Sequence, residues 1–146
     1  MSDTVNVLIP SEPFYTPSAE QSDAIKSVIS DYATLEILDK MQFADAGSNF
    51  ESVCCPFCKT SLMDWWCNAM DMAYSDENGF MQLCVTLPCC GKEASLNDLD
   101  YMWPQGFYRT KIIVASDKDT LENKADFIDK LKAITGISWR LITAHY

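Results

Sequence analysis

Apolar and polar positions alternate near both ends of the chain and follow helical spacing in between. Val5-Asn6-Val7-Leu8-Ile9 alternates and predicts a short strand. Pro10, Pro13 and Pro17 then mark an extended connection, with Thr16-Pro17 placed as an N-cap and first-turn pair. Beyond it, Ile25, Val28, Ile29, Tyr32, Leu35 and Leu38 recur at helical spacing and predict a helix over 17–40. Asp45 to Asn49 reads as a loop, and Phe50 to Val53 as a strand.

Ser61 with Asp64 has the spacing of a capping box, and Leu62, Trp65, Trp66, Ala69 and Ala73 share one helical face behind it. That helix is expected to stop before Asn78-Gly79. Phe80 to Leu87 is rich in β-formers and predicts a strand, and Ser95 to Tyr101 a short helical turn. Tyr108 to Ala115 predicts a further strand. A helix capped by Asp119 and Glu122 follows, with Leu121, Ala125, Ile128, Leu131 and Ile134 on one face and Gly136 as its stop. Ile137 to His145 alternates as a last strand, which completes a strand–helix–strand unit. No internal repeat interrupts this order. The fold class expected is α+β: one mixed sheet with three helices, and a single domain over 1–146. Cys55-x2-Cys58 and Cys89-Cys90 fall within 47–92, and that stretch resembles a zinc ribbon and is expected as a zinc-ribbon-like insertion.

Composition narrows the class. The 146 residues are 48% hydrophobic and 22% charged, which excludes disorder and fibrous repeats. No apolar run nears the roughly 20 residues that span a bilayer. Met1-Ser2-Asp3-Thr4-Val5 lacks the pattern of a secretory signal, so a soluble, cytoplasmic protein is expected. Net charge is −10 and uneven: residues 1–46 hold eight acids and two bases, 47–91 five and one, and 92–146 eight of each. An acidic front argues against a phosphate-backbone ligand. It fits solubility, or a protein partner with a basic surface.

Seven cysteines change the picture, since all lie within residues 54–90. An odd count without a secretion signal reads as metal ligands or redox groups rather than a disulfide framework. Cys55-Pro56-Phe57-Cys58 is a turn that can aim two thiolates at one point. A second pair can come from Cys89 and Cys90, from Cys84 and Cys89, or from Cys67 with one of these. Leu87-Pro88-Cys89-Cys90-Gly91 resembles a zinc knuckle in which Leu87 stands at the first ligand position. The set carried forward is Cys55, Cys58, Cys89 and Cys90, as ligands to Zn²⁺. Four thiolates leave no open coordination position, so the expected role is structural.

Two resemblances bear on this. Cys55-Pro56-Phe57-Cys58, Asp64-Trp65-Trp66, Pro88-Cys89-Cys90-Gly91, Ser95-Leu96-Asn97-Asp98-Leu99, Trp103-Pro104-Gln105-Gly106-Phe107 and Ala144-His145-Tyr146 resemble an uncharacterised bacterial zinc-ribbon-containing family over roughly residues 45–146. That resemblance implies a metal site and no activity. Cys55-Pro56-Phe57-Cys58, with Thr86-Leu87-Pro88, is also similar to the redox motif of glutaredoxins. It implies a thiol–disulfide oxidoreductase with Cys55 as nucleophile and Cys58 as resolving thiol. A glutaredoxin needs more elements between those motifs than fit here, and leaves Cys89 and Cys90 without a purpose.

The remaining residues take plainer readings. Cys54, Cys67 and Cys84 are expected as small buried hydrophobes. Trp65 and Trp66 are expected in the core, with Phe107 and Tyr108 covering it. Met63, Met70, Met72 and Met81 suit either an adaptable surface or gap filling. His145 is the lone histidine and is expected as a strand-end side chain, and no Gly-x-Ser-x-Gly or phosphate loop is present. Glu20, Asp23, Asp31, Glu36, Asp39 and Asp45 are expected mostly on the polar side of the first helix, as a solvated face or as a surface for a basic protein. A nucleic-acid ribbon would have to use Lys111, Lys118, Lys124, Lys130, Lys132 and Arg140, and the net charge opposes it. The expected protein is non-enzymatic: a zinc-stabilised protein-interaction module.

Overall fold

The computed structural model describes residues 4–29, 33–75, 77, 79–114 and 121–145, with the backbone alone of 121–124. A first stretch gives β1 (Thr4–Pro10), α1 (Ala19–Ile29) and β2 (Ala33–Ala44). A last stretch gives β9 (Gly106–Val114), α3 (Leu121–Thr135) and β10 (Trp139–His145). Between them lie β3 (Val53–Cys54), α2 (Met63–Ala73), β4 (Tyr74–Ser75), β5 (Gly79–Phe80), β6 (Cys84–Thr86), β7 (Glu93–Ser95), a 3₁₀ turn (Leu96–Asp98) and β8 (Asp100–Tyr101).

The main sheet has the order β10-β1-β9-β2-β5-β4. β1 runs antiparallel to β10 and β9, β9 antiparallel to β2, and β2 parallel to β5, so the sheet is mixed and the class is α+β. Each crossover, through α1 or α3, skips one strand. That interleaving of two βαβ units is the ferredoxin-like arrangement. The cysteine-bearing stretch is therefore an insertion into the β2–β9 connection.

The helix expected over 17–40 is corrected: it ends at Ile29, and 33–44 is strand. Leu35 and Leu38 kept a helical rhythm with Ile25 and Val28, but Ala33 to Ile37 pair residue by residue with Val114 to Thr110. Sheet pairing overrides a local period of this kind. Tyr32 and Asp31 lie outside the described residues. With that correction Glu20 and Asp23 remain on α1, while Glu36 and Asp39 move to β2 and Asp45 just beyond it. The cap of α1 is Ser18 rather than Thr16: the Gln21 N–H donates to Ser18 Oγ and the Ser18 N–H to Gln21 Oε1, both at 3.1 Å. At α2 no capping box forms, and the Met63 N–H reaches Ser61 Oγ at 3.5 Å. Tyr74–Ser75 pairs with Gly79–Phe80 beyond α2, and the single strand expected over 80–87 is divided into β5 and β6. Asn78, Ala115 and Asp119 lie outside the described residues. α3 turns Phe127 and Leu131 inward, and Ala125 is exposed, so the face expected there is shifted. Gly136 ends α3 as expected, donating its N–H to the Lys132 carbonyl at 2.8 Å.

One face of the sheet buries Leu8, Ile112 and Trp139 against Ile25 and Ile29 of α1 and Phe127 and Leu131 of α3. Because side chains alternate along a strand, Ile9 points to the opposite face, where it packs with Tyr108 and Ile142. There Arg140 reaches out of β10 and its Nη1 donates to the Asn97 and Gln105 carbonyls at 3.1 and 2.7 Å. Asn97 Oδ1 accepts from the Phe107 N–H at 2.9 Å, and Gln105 Oε1 from the Ala46 N–H at 2.9 Å. These buried polar groups hold the insertion against the sheet. Between Ile37 and Gln42, β2 advances five residues while β9 advances two, from Thr110 to Tyr108. The resulting bulge carries Met41 to Gly79 of β5 and hooks the insertion to the sheet a second time.

A third attachment is at the start of the insertion. The Ser48 N–H and hydroxyl both donate to the His145 carbonyl, at 2.7 and 2.8 Å. His145 sits at the strand end as expected, with Nδ1 3.2 Å from Thr4 Oγ1. Gly47 has φ +60°, and a Cβ there would collide with the His145 carbonyl oxygen. Gly47→Ala should therefore cost about 1–3 kcal/mol. Urea denaturation checks this, and an unchanged midpoint would remove the attachment from the account.

Candidate metal centre

Two hairpins in the insertion each end in a tight turn. In the first, β3 leads into Cys55-Pro56-Phe57-Cys58-Lys59, and the chain returns through a bridge between Cys54 and Ser61. In the second, β6 leads into Leu87-Pro88-Cys89-Cys90-Gly91 and returns as β7, with Cys84 opposite Ser95 and Thr86 opposite Glu93. The turns match bond for bond. The Cys55 N–H donates to the Thr60 carbonyl at 2.9 Å, and the Leu87 N–H to the Lys92 carbonyl at 2.9 Å. The Lys59 N–H donates to the Cys55 carbonyl at 3.0 Å, and the Gly91 N–H to the Leu87 carbonyl at 2.9 Å. Lys59 and Gly91 both take positive φ, +64° and +73°, a conformation glycine accepts without the cost that lysine bears.

On this match Leu87 holds the place of Cys55, Cys90 that of Cys58, and Cys89 that of Phe57. Leu87 and Cys55 are both fully buried. The second turn has thus given its first ligand position to the core and recovered a sulfur from its tip. Adjacent Cys89 and Cys90 can both reach one point because they leave the turn on neighbouring bonds.

The four sulfurs of Cys55, Cys58, Cys89 and Cys90 lie within 4.8 Å of one another. Cys58 Sγ is 3.4 Å from Cys89 Sγ, and Cys55 Sγ is 3.8 Å from Cys90 Sγ. A tetrahedron with Zn–S near 2.3 Å has S–S edges of about 3.8 Å. The separations suit that figure and far exceed the ~2.05 Å of a disulfide bond. The residues present therefore fit a tetrahedral metal ion, and the quartet can hold one.

Hydrogen bonds already favour thiolates here. Burial pushes the Cys55 thiol up, but the N–H groups of Cys58 and Phe57, at 3.4 and 3.3 Å from its sulfur, bring it below the usual thiol range. Cys58 is lowered to about 6 by the Thr60 hydroxyl, 3.2 Å away, by the Thr60 N–H, and by Cys89. Cys89 goes the other way, to about 12, through desolvation and then the sulfurs of Cys58, Cys55 and Cys90 around it. These values belong to the cluster rather than to isolated groups. The last proton leaves with difficulty because its departure would add negative charge beside existing thiolates.

Around the centre, Leu62, Leu83, Leu96, Leu99 and Phe107 form the core under Cys55. Trp65 and Trp66 pack against it as expected, and Trp66 Nε1 donates to the Tyr101 hydroxyl at 3.1 Å. Tyr101 in turn donates to the Leu96 carbonyl at 2.6 Å, and burial raises its pKa. Lys92 Nζ lies 4.9 Å from the Phe57 ring centroid and joins the two turns across their tips. Lys59 reaches Asp100 at 3.4 Å, an exposed pair of little weight.

Three expectations fail. Cys67 and Cys84 are exposed and Cys54 is half-buried, so none of the three is a buried hydrophobe. Cys67 lies off the side of α2 that carries buried Ala69, and Cys84 shares the exposed face of β6 with Thr86. Of the four methionines, Met63 and Met70 pack on the core, whereas Met72 and Met81 are exposed. The buried polar network of Asn97, Gln105 and Arg140 was missed, because a lone arginine in an alternating strand reads as a solvent-facing residue.

Metal uptake should release protons from those thiols still protonated. At pH 8 the release should fall short of one per cysteine, because Cys58 is already ionised. As pH falls through 6 it should rise by about one, and Thr60→Val should move that step to higher pH. An indicator dye in weak buffer reads it, and a release independent of pH would contradict the assignment. Against this geometry, no family model, curated protein or solved structure matches the chain.

Proposed function

We propose that the four cysteines hold one Zn²⁺ as a structural centre, and that the protein works by binding another protein rather than by catalysis. The observation that carries this reading is the convergence of four sulfurs from two matched turns within 4.8 Å. All-sulfur ligation suits zinc among the common divalent ions. A centre with four thiolates has no free position to activate water or polarise a substrate. What it supplies is folding free energy, about 10 kcal/mol or more for thiolate sites. The resemblance of residues 45–146 to a bacterial zinc-ribbon family supports the same reading.

A protein partner with a basic surface suits the net charge of −10. The oxidoreductase alternative draws less support. α2 begins only at Met63, so neither Cys55 nor Cys58 gains from a helix N-terminus. Pro88 sits inside the second turn, and Cys89 and Cys90 complete the quartet instead of standing idle. Nucleic-acid binding is weaker still. Arg140 is turned into the Asn97–Gln105 network and Lys130 is paired with Asp126 at 2.9 Å. Lys111 lies over the Tyr108 ring, and the side chains of Lys118 and Lys124 lie outside the described residues. Among the described residues no helix is long and apolar enough to cross a membrane.

Elemental analysis of the dialysed protein should find about one zinc per chain. Cys55→Ala and Cys90→Ala should abolish it and expose the insertion to proteolysis, while Cys67→Ala and Cys84→Ala should retain it. Wild-type protein that loses no stability when its metal is removed would overturn the proposal.

A further inference from the structure

We propose that the open edge of β6 and the adjoining face of α2 form a docking groove for an extended, basic segment of a partner protein. The inference deepens the protein-binding reading above by naming where the partner sits and what it is made of. A groove of about 300 Å³ runs between Trp65, Ala69 and Met72 of α2 and Cys84 and Thr86 of β6, with Gln82 just before that strand. Met72 at its rim is 80% exposed and extends the apolar lining of the groove toward solvent.

The backbone makes the groove more than an apolar dent. Among the described residues β6 pairs with β7 alone. The Leu87 N–H donates to the Lys92 carbonyl and the Leu96 N–H to the Leu83 carbonyl, at 2.9 and 2.8 Å. Bonded positions alternate in an antiparallel pair, so Leu83, Val85 and Leu87 turn their N–H and C=O groups toward β7. Cys84 and Thr86 turn theirs away from it, at the edge that lines the groove. An unpaired edge is a template for another strand, and main-chain bonds with pockets for alternate side chains are how strand addition works.

Charge selects the occupant. α2 carries Asp64 and Asp71 and no cation, and helical spacing sets both beside Asn68 on the outer flank of the groove. Glu93 stands opposite Thr86 and so shares its face of the β6–β7 ribbon. Lys92, next to Glu93 in the chain, is folded over the Phe57 ring. A second copy of this chain, with its own net charge of −10, would be repelled by this acidic rim, whereas a strand with lysines or arginines alternating with apolar residues answers both the rim and the floor. β6 runs directly into the turn that bears Cys89 and Cys90, so the groove exists only while that turn is held.

The test uses the purified, metal-loaded full chain, isotope-labelled, titrated with a short blocked peptide of alternating lysine and valine and with its glutamate–valine counterpart. The lysine peptide should bind at least about tenfold more tightly, an advantage that shrinks with salt. Amide exchange at Cys84 and Thr86 should slow on binding, and the Met72 methyl resonance should shift. Asp71→Lys should weaken the lysine peptide severalfold, and Thr86→Pro, which removes an outward N–H, about tenfold, both with zinc content unchanged. Should Thr86→Pro lose its zinc, Asp71→Lys and the exchange data decide alone. Binding without a change at the Cys84 and Thr86 amides, equal affinity for both peptides, no binding of either, or self-association that protects the same amides would each overturn the proposal. Zinc measured on the same sample separates the two readings: a zinc-loaded chain that ignores the peptides sinks only the groove, and a metal-free folded chain that binds them sinks only the centre.

Discussion

Four sulfur atoms gathered within 4.8 Å create an electrostatic problem that the polypeptide does not solve by itself. Hydrogen bonds from the Phe57, Cys58 and Thr60 amides and the Thr60 hydroxyl can stabilise one or two thiolates. They cannot stabilise four, as the opposite displacement of Cys89 records. A divalent cation bound at the centre would remove that repulsion and replace weak S–H contacts with coordinate bonds. Much of the insertion would then hang from those bonds. Its strands β3, β6, β7 and β8 are two or three residues long, well short of what an isolated hairpin needs to persist in water.

The ferredoxin-like sheet makes no such demand. Its strands are longer, its helices bury Leu8, Ile25, Ile112 and Leu131 together, and its register is fixed by alternation. The two parts meet through polar groups as much as through apolar ones. Arg140 is half-buried, and desolvation lowers its pKa, yet its Nη1 is satisfied by two carbonyls of the insertion. Removing those carbonyls would strand a charge against the sheet, so the insertion and β10 are energetically coupled.

How much of this was legible depends on whether the determining contacts were local. Cys55 and Cys58 are close in sequence and were readable. Cys89 and Cys90 were readable as a pair, though Leu87 in the first ligand place obscured the match until the turn's hydrogen bonds could be compared. β1, β9 and β10 followed from their apolar period, and α3 from its period and its Gly136 stop, with its buried face moved to Phe127 and Leu131. β2 did not: Glu36, Asp39 and Lys40 interrupt its apolar residues at intervals that imitate a helix, and the bulge between Ile37 and Gln42 breaks the alternation a strand would show. β5 and β4 join the main sheet only through the pairing of Met41 with Gly79, a contact between distant residues that no window of sequence contains. Exposure of Cys67 and Cys84 was likewise invisible, since their apolar neighbours point to the core on adjacent positions.

One register pair has a meaning for how such a chain can arise. Ala44 and Gly106 are direct partners across β2 and β9, and the whole thiol-bearing stretch leaves the sheet at one and rejoins it at the other. A two-residue hairpin loop would join the same two strands there, at the cost of the carbonyls that the insertion offers to Arg140. The stretch is thus a cassette: entry and exit share a single doorway, so it could be gained, lost or grafted onto another antiparallel pair without rewiring the host's topology.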